Sequence, residues 1–225
     1  MYHPHPSPIL KHLFERKPYQ GAPPEDAKFL FVGLDANFDP DVEASPSFPR
    51  VVEYLQDGVA FWHTHGVSHP FLLPEYKGDG RYYHRNFARI GFLPAHAASV
   101  CFMELVHVPT FGQSKLTPSD LDEAHLHRIS EAIAGSPRNV FLSNDVARLM
   151  RASGKFSWLP KSPGTEYPLQ VWHRSGGTTI YRHLHFSVWG RTERKTAELE
   201  AIGALANPKA TDSTAPPQGR IDDVC

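Results

Sequence analysis

Phe29-Leu30-Phe31-Val32-Gly33-Leu34-Asp35-Ala36-Asn37 is the stretch on which the reading of this 225-residue chain turns. Four apolar residues run into a glycine, and a carboxylate follows in the turn beyond it. The pattern predicts a strand over 28–32 whose ladder fixes the backbone, with Gly33 permitting a tight exit. Open sheets bind ligands in the crevice at the C-terminal ends of their strands, so Asp35 stands where a reactive group is placed. The competing reading is an aspartate that only caps its turn.

On both sides of this strand, helix and strand signals alternate. Helical spacing covers 8–16 for a turn or two, then 50–57, 84–90 and 119–134, the last with Ser119 as N-cap. Further helices are expected over 145–152 and, with an amphipathic pattern, over 193–205. Strands are expected over 99–106, 139–142 and 178–186, and 158–167 reads as a Pro- and Gly-bearing surface loop from which Lys161 and Ser162 reach DNA. The alternation predicts an α/β fold, a three-layer α/β/α sandwich around a mostly parallel central sheet. Residues 1–206 form one domain in this reading, with 1–24 a Pro- and His-rich arm. The polar tail 207–225 is expected to be disordered or loosely docked.

A net charge of −1 gives no global basicity, so any DNA-binding surface has to be a local patch. Two cysteines, Cys101 and Cys225, are too few for a disulfide framework, a cysteine zinc site or an iron–sulfur cluster, and they fit a reducing cytoplasm. The start Met1-Tyr2-His3-Pro4-His5-Pro6 lacks the basic-then-apolar pattern of a signal peptide. No apolar stretch approaches the roughly 20 residues that span a bilayer. A soluble protein is expected.

Two further stretches depart from a bland core. Glu104 lies inside Ser99-Val100-Cys101-Phe102-Met103-Glu104-Leu105-Val106. A carboxylate there costs several kcal/mol, at roughly the scale of a buried charge, unless it faces a cleft, is paired or is protonated. The third stretch is Tyr181-Arg182-His183-Leu184-His185-Phe186-Ser187-Val188-Trp189-Gly190-Arg191, whose alternation puts His183 and His185 on one strand face before a loop and a basic helix start.

Together these stretches carry a resemblance. Gly33-Leu34-Asp35-Ala36-Asn37 resembles the first motif of the uracil-DNA glycosylase superfamily, Gly-Gln-Asp-Pro-Tyr in the uracil-specific branch and Gly-Leu-Asn-Pro-Gly in the mismatch-specific branch. Glu104 to Thr110, continuing to Ser114-Lys115, is similar to the central strand and loop of the mismatch-specific (thymine/uracil) branch, the closest in pattern. His185-Phe186-Ser187-Val188-Trp189-Gly190-Arg191 resembles the second motif with its intercalating loop. Ala36 and Phe186 stand where the family has prolines.

The resemblance implies a DNA glycosylase that flips a nucleotide out of the duplex and hydrolyses its N-glycosidic bond without a cofactor or metal. Asp35 would stabilise the positively charged sugar and orient water, and a neutral His185 would donate to the base O2. Gly33, Leu34, Ala36, Asn37 and Glu104 would line the base site, with Phe48 the candidate to stack on the base. Ser187, Val188, Trp189, Arg191, Arg194 and Lys115 would meet the DNA, Val188 and Trp189 as a wedge. Trp62, Tyr82, Tyr83 and Phe87 read as core or cleft wall, and His84-Arg85-Asn86 as a solvated helix start able to bind phosphate. Asn37, smaller than the family's tyrosine, leaves room at the base C5. An ionised Glu104 would accept from the N4 amine of cytosine and repel the O4 of uracil, and a protonated one would donate to N3. The substrate expected is a 5-hydroxymethyl or glucosylated cytosine of the kind found in phage DNA, and the role antiviral defence.

Other classes stay open. A uracil or thymine-mismatch repair glycosylase fits the same motifs. The pairs His63/His65, His125/His127 and His183/His185 are candidate metal ligands of a hydrolase. His185-Phe186-Ser187 also resembles the His-X-Ser motif of two-histidine phosphoesterases, without a second copy. A non-catalytic DNA-binding module of the same fold is the last alternative.

Overall fold

The computed structural model describes residues 2–78 and 80–207, so most of the expected C-terminal tail lies outside the described residues. In chain order the elements begin with strand β1 (His3–Pro4), helix α1 (Pro8–Arg16), β2 (Gln20–Gly21) and β3 (Phe29–Gly33). Helices α2 (Phe48–Gln56), α3 (Gly58–His65) and α4 (Arg81–Ala88) follow before β4 (Val100–Glu104) and β5 (Thr110–Phe111). The second half holds α5 (Glu123–Ala134), β6 (Asn139–Leu142), α6 (Asn144–Ala152), β7 (Gln170–Ser175), β8 (Thr178–Arg182) and α7 (Thr192–Ala206).

The central sheet has the order β2-β4-β3-β6-β8-β7. Its four inner strands are mutually parallel, and β2 and β7 close the two edges antiparallel. Alternating side chains explain why both faces are covered. Leu30, Val32, Cys101, Met103, Val140 and Leu142 point to one face and meet Leu126 and Ile129 of α5 and Val146 and Met150 of α6. Phe29, Phe31, Val100 and Phe141 point to the other and meet Trp62 of α3, Phe87 of α4, and Leu199 and Ile202 of α7. Phe31, 2% exposed, stacks on Phe141 at 4.7 Å between ring centroids. Truncating it to alanine would cost about 3–5 kcal/mol. The chain is thus a mixed α/β protein with a mostly parallel sheet flanked by helices. Among the described residues no helix is long and apolar enough to cross a membrane.

Local chemistry moves several expected boundaries. The helix expected from Ser119 starts at Glu123, because Pro118–Asp120 forms a 3-10 turn and the Asp122 side chain accepts the His125 N–H at 2.7 Å. The strand expected over 99–106 ends at Glu104, although Leu105 and Val106 still donate to the Gly33 and Leu34 carbonyls. The strand expected over 178–186 stops at Arg182. His183 and His185 consequently do not share a face. His183 turns inward, 6% exposed, against Phe31, Phe141 and Phe186, while His185 is half-buried at the cavity described below. The expected surface loop at 158–167 holds no helix or strand. β1, β2, α3, β5 and β7 have no counterpart in the expectation.

The Pro- and His-rich arm is docked. β1 pairs antiparallel with β5, His5 is fully buried, and its Nδ1 accepts the Ser7 N–H while Nε2 donates to the Asp39 carbonyl at 2.9 Å. This arm backs the segment at Thr110, which in turn holds Asp35.

Candidate active site

A cavity of about 290 Å³ opens at the C-terminal ends of β3 and β4. Asp35 lies in its wall, two residues beyond β3, and its Oδ2 accepts hydrogen bonds from Thr110 Oγ1 at 2.6 Å and Ser114 Oγ at 2.8 Å. The two hydroxyls orient the carboxylate, and Oδ1 accepts no hydrogen bond from the described residues. Backbone bonds from Thr110 N–H to the Ala36 carbonyl and from Phe38 N–H to the Thr110 carbonyl lock the two segments together. Asn37 is exposed and spends its amide on this lock, donating to Thr110 Oγ1 at 3.2 Å and to the Gly112 carbonyl at 2.7 Å.

Glu104 pairs with Gly33 across the β3–β4 ladder, and its carboxyl lies over the glycine. A Cβ at position 33 would come within 1.9 Å of Glu104 Oε2, so only glycine leaves the carboxyl its present place. Desolvation, helped by the nearby Asp35 charge, pushes the Glu104 carboxyl up to about 8. At neutral pH it is therefore a carboxylic acid, with one donor and one acceptor.

His185 faces the same cavity from the segment after β8. Its Nδ1 accepts the Ser187 N–H at 3.3 Å, which places the ring proton of the neutral imidazole on Nε2. Burial holds this histidine below its ordinary range despite opposing pulls from Asp145 and Asp35, so at pH 7 it is a neutral donor. The Tyr83 ring leans on it at 5.3 Å.

The rest of the wall is aromatic. His69 and His84 stack face to face, 3.5 Å between centroids and 7° between planes, and Phe71 meets His84 edge-on at 5.5 Å. Desolvation drives His84 down to about 3 and His69 well below its usual value, so both remain neutral. Phe38, Gly80 and Gln20 complete the wall.

Of the site residues expected from sequence, the structure brings together Gly33, Leu34, Asp35, Ala36, Asn37, Glu104 and His185 around this cavity. Phe48 is not among its lining residues. It packs, 9% exposed, in the cluster of Phe38, Val51 and Leu55, because it begins α2 rather than sitting in a loop. Phe38 and Phe71 hold the aromatic wall instead, and His84 is part of that wall rather than a solvated helix start.

Among the residues expected to meet DNA, Lys115, Ser187 and Arg191 are exposed and Val188 is half-buried, its carbonyl taken by the Lys195 ammonium. Trp189 is 79% exposed and lies flat on Tyr82 at 4.8 Å. Arg194 departs from the expectation. Its Nε donates to Glu198 Oε1 at 2.9 Å and another guanidinium nitrogen to Gln170 Oε1 at 3.0 Å, so internal partners hold it.

The histidine pairs do not converge. His65 bonds Glu53, His125 donates to the Glu104 carbonyl at 2.7 Å, and among the described residues no three His, Cys, Asp or Glu groups gather as a metal set.

No family model, curated protein or solved structure matches the chain. A carboxylate oriented by two hydroxyls, a neutral N–H donor and a protonated carboxyl face one small cavity. Such a set can stabilise a cation on one side of a breaking bond while protonating the group that leaves on the other.

Proposed function

We propose that the chain is a monofunctional DNA glycosylase that extrudes a 5-substituted cytosine, hydroxymethylated or glucosylated, and hydrolyses its N-glycosidic bond. The observation that carries this reading is the convergence of Asp35, protonated Glu104 and neutral His185 on one cavity at the strand ends. At about 290 Å³ the cavity lies just under the usual range for small-molecule sites, about 300 Å³ upward, which suits one nucleobase.

In this mechanism Asp35 stabilises the oxocarbenium-like sugar and orients the attacking water. His185 Nε2–H donates to the base O2, where negative charge builds as the bond breaks. The acid form of Glu104 fits cytosine with both oxygens, its O–H donating to N3 and its carbonyl accepting from the N4 amine. Protonating N3 lets cytosine depart neutral. The aromatic wall of Phe71, His84 and Tyr83 supplies faces for the extruded base, and Trp189 on Tyr82 stands outside as the wedge.

The sheet with helices on both faces is read as the three-layer α/β/α arrangement of the uracil-DNA glycosylase superfamily, and the setting as cytoplasmic defence against modified phage DNA. A second reading follows from Glu104 itself. With its proton on the other oxygen it pairs with the N3–H and O4 of uracil, which would make the protein a uracil or thymine-mismatch repair enzyme.

The test is incubation with duplexes carrying uracil, a thymine mismatch, 5-hydroxymethylcytosine or its glucosylated form, scoring abasic sites in each. Release of the modified cytosines in preference to the others, undiminished by EDTA, is expected. Preferential release of uracil would install the repair reading, and no release from any DNA would remove the glycosylase.

A further inference from the structure

A second concavity, a groove of about 510 Å³, lies at the C-terminal ends of β6 and β8, on the side of His185 away from β4. Arg182, the last residue of β8, lies in it with 8% of its surface exposed. Its partners are neutral: Nε donates to Asn144 Oδ1 at 2.7 Å and a terminal nitrogen to Gln170 Oε1 at 2.5 Å. The same Gln170 oxygen accepts from Arg194 at 3.0 Å, so two guanidinia converge on one uncharged atom.

Glu198 is the carboxylate closest to balancing them. Its Oε1 is taken by Arg194 and its Oε2 by the Leu184 N–H at 2.6 Å. Arg191 adds further positive charge to the field at Arg182. A guanidinium does not shed its proton, so a buried one that shares a single carboxylate, Glu198, with Arg194 is left under-balanced and an anion arriving beside it is favoured.

The surroundings add to this. Arg148, Arg151 and Lys161 line the groove against a single carboxylate, Asp145. The Arg148–Asp145 pair spans 3.4 Å with both side chains more than 60% exposed, a weak bond that a competing anion displaces readily. Arg151 is anchored over Trp172, with its charge centre 5.3 Å from the ring, and donates to the Pro160 carbonyl. Trp172 also lines the groove, is 5% exposed, and its indole N–H has no acceptor among the described residues. In a chain of net charge −1 this is a local concentration of cations.

We infer that this groove holds backbone phosphate of a DNA strand, with Arg182 at its floor and Arg148 and Lys161 at its rim. Arg182 precedes His185 by three residues, so a strand lying here delivers a neighbouring nucleotide to the cavity. The choice of DNA as the phosphate carrier rests on the proposed glycosylase reading. The anion site itself rests on the guanidinia.

The experiment follows fluorescence anisotropy of a fluorescein-labelled 12-mer DNA, single-stranded and duplex, across a salt series. The surface double variant Arg148→Ala/Lys161→Ala leaves the core untouched, and Arg182→Gln tests the floor, with a thermal melt to check folding. Each lost phosphate contact should lower the slope of log affinity against log salt by about 0.9 for duplex DNA, with a loss of roughly tenfold in affinity at moderate salt. If Arg182→Gln does not fold, the double variant decides. Unchanged affinity and slope in the folded variants overturn the inference, as does wild-type protein that binds neither DNA.

Competition separates the sources of phosphate. DNA binding that resists millimolar inorganic phosphate and polyglutamate supports a strand site. Displacement by free phosphate at the concentrations where the 12-mer binds, or equal displacement by polyglutamate, overturns it. The two readings fail separately. Wild-type protein that releases no base from any DNA, while the groove variants lose slope, removes the glycosylase and keeps the groove. Base release together with unaltered binding by the groove variants does the reverse.

Discussion

The crevice ends of β3 and β4 and those of β6 and β8 grow from one parallel ladder yet face opposite electrostatic problems. In the first pair, Asp35 and Glu104 bring two carboxyls to one cavity, where burial desolvates Glu104. In the second, Arg182 and Arg194 crowd two guanidinia onto one amide oxygen. The solutions differ because the chemistry differs. A carboxyl relieves crowding by taking up a proton, and Glu104 does so with its affinity pushed up to about 8. An arginine has no such exit at ordinary pH and waits for an anion. One half of the crevice thus carries the groups for acid–base chemistry and the other a surplus of positive charge, and in the proposed reaction a phosphate-bearing substrate with a departing base would use both.

The largest effects should come from breaking the acidic half. On the proposed mechanism Asp35→Ala removes the anion beside the developing sugar cation, and base release should fall by about 10³-fold, judged from losses at comparable electrostatic positions. DNA affinity should hold within a few-fold, because the carboxylate acts in the transition state and the groove cations are untouched. Single-turnover kinetics and anisotropy on the same protein check both. Normal turnover would take Asp35 out of the mechanism. His185→Ala should follow, with release down by about 10²- to 10³-fold for one lost donor to the leaving base. An unaltered rate would leave His185 a structural residue that props Tyr83.

How far this contrast could be read in the sequence depends on the half concerned. The acidic half was legible because its residues sit at the ends of short apolar strands, where Gly33, Asp35 and Glu104 stand out against Phe-Leu-Phe-Val and Val-Cys-Phe-Met. His185 was singled out by its motif and by a strand face shared with His183, but β8 stops at Arg182 and the segment beyond it carries His185 alone to the cavity. His69, Phe71 and His84 were not, since they come from 3-10 turns and the start of a helix between α3 and β4, where no periodicity marks a face. Arg182 and Arg194 were concealed differently. A basic residue in a strand or helix start reads as solvated, and only β7, the antiparallel edge missing from the expectation, brings Gln170 between them.

Glu104→Gln sharpens the comparison by removing the proton that resolves the crowding. Discrimination between modified cytosine and uracil should weaken by about 1–3 kcal/mol, roughly tenfold to 150-fold in relative rate, since an amide neither ionises nor protonates N3. In the wild type, cytosine release should decline above pH 8, as Glu104 gives up its proton, and the variant should lose that limb. Stability carries the same signature with a definite sign. The folded protein keeps the Glu104 proton between pH 4.5 and about 8 while the unfolded chain releases it, so wild-type stability falls as pH rises through that window. The histidines work from the other side. His84 and His183, both driven down to about 3 by burial, make the folded state lose ground as pH drops below 6.5. Melting curves of Glu104→Gln from pH 5 to 9 should lack the decline on the way up to about pH 8 and keep the acid one. A decline up to about pH 8 equal to that of wild type would place it on some other group.

Gly33→Ala should produce the smallest change and the most informative one. The added methyl would meet Glu104 Oε2 at 1.9 Å, and that oxygen is the end of a flexible side chain, so the carboxyl swings aside and the ladder stays. Asp35, held by Thr110 and Ser114 on the far side of the turn, keeps its place. Release measured on the acid side of the limb should therefore fall only several-fold, about 1 kcal/mol of transition-state stabilisation. The pH profile should alter more than the rate. Moved toward solvent, Glu104 regains an ordinary carboxyl's affinity for its proton, so the alkaline limb should slide from about 8 toward 4.5. A profile that keeps its limb near 8 in Gly33→Ala would mean that Glu104 is not the group titrating there, and that the acidic half relieves its crowding by another route.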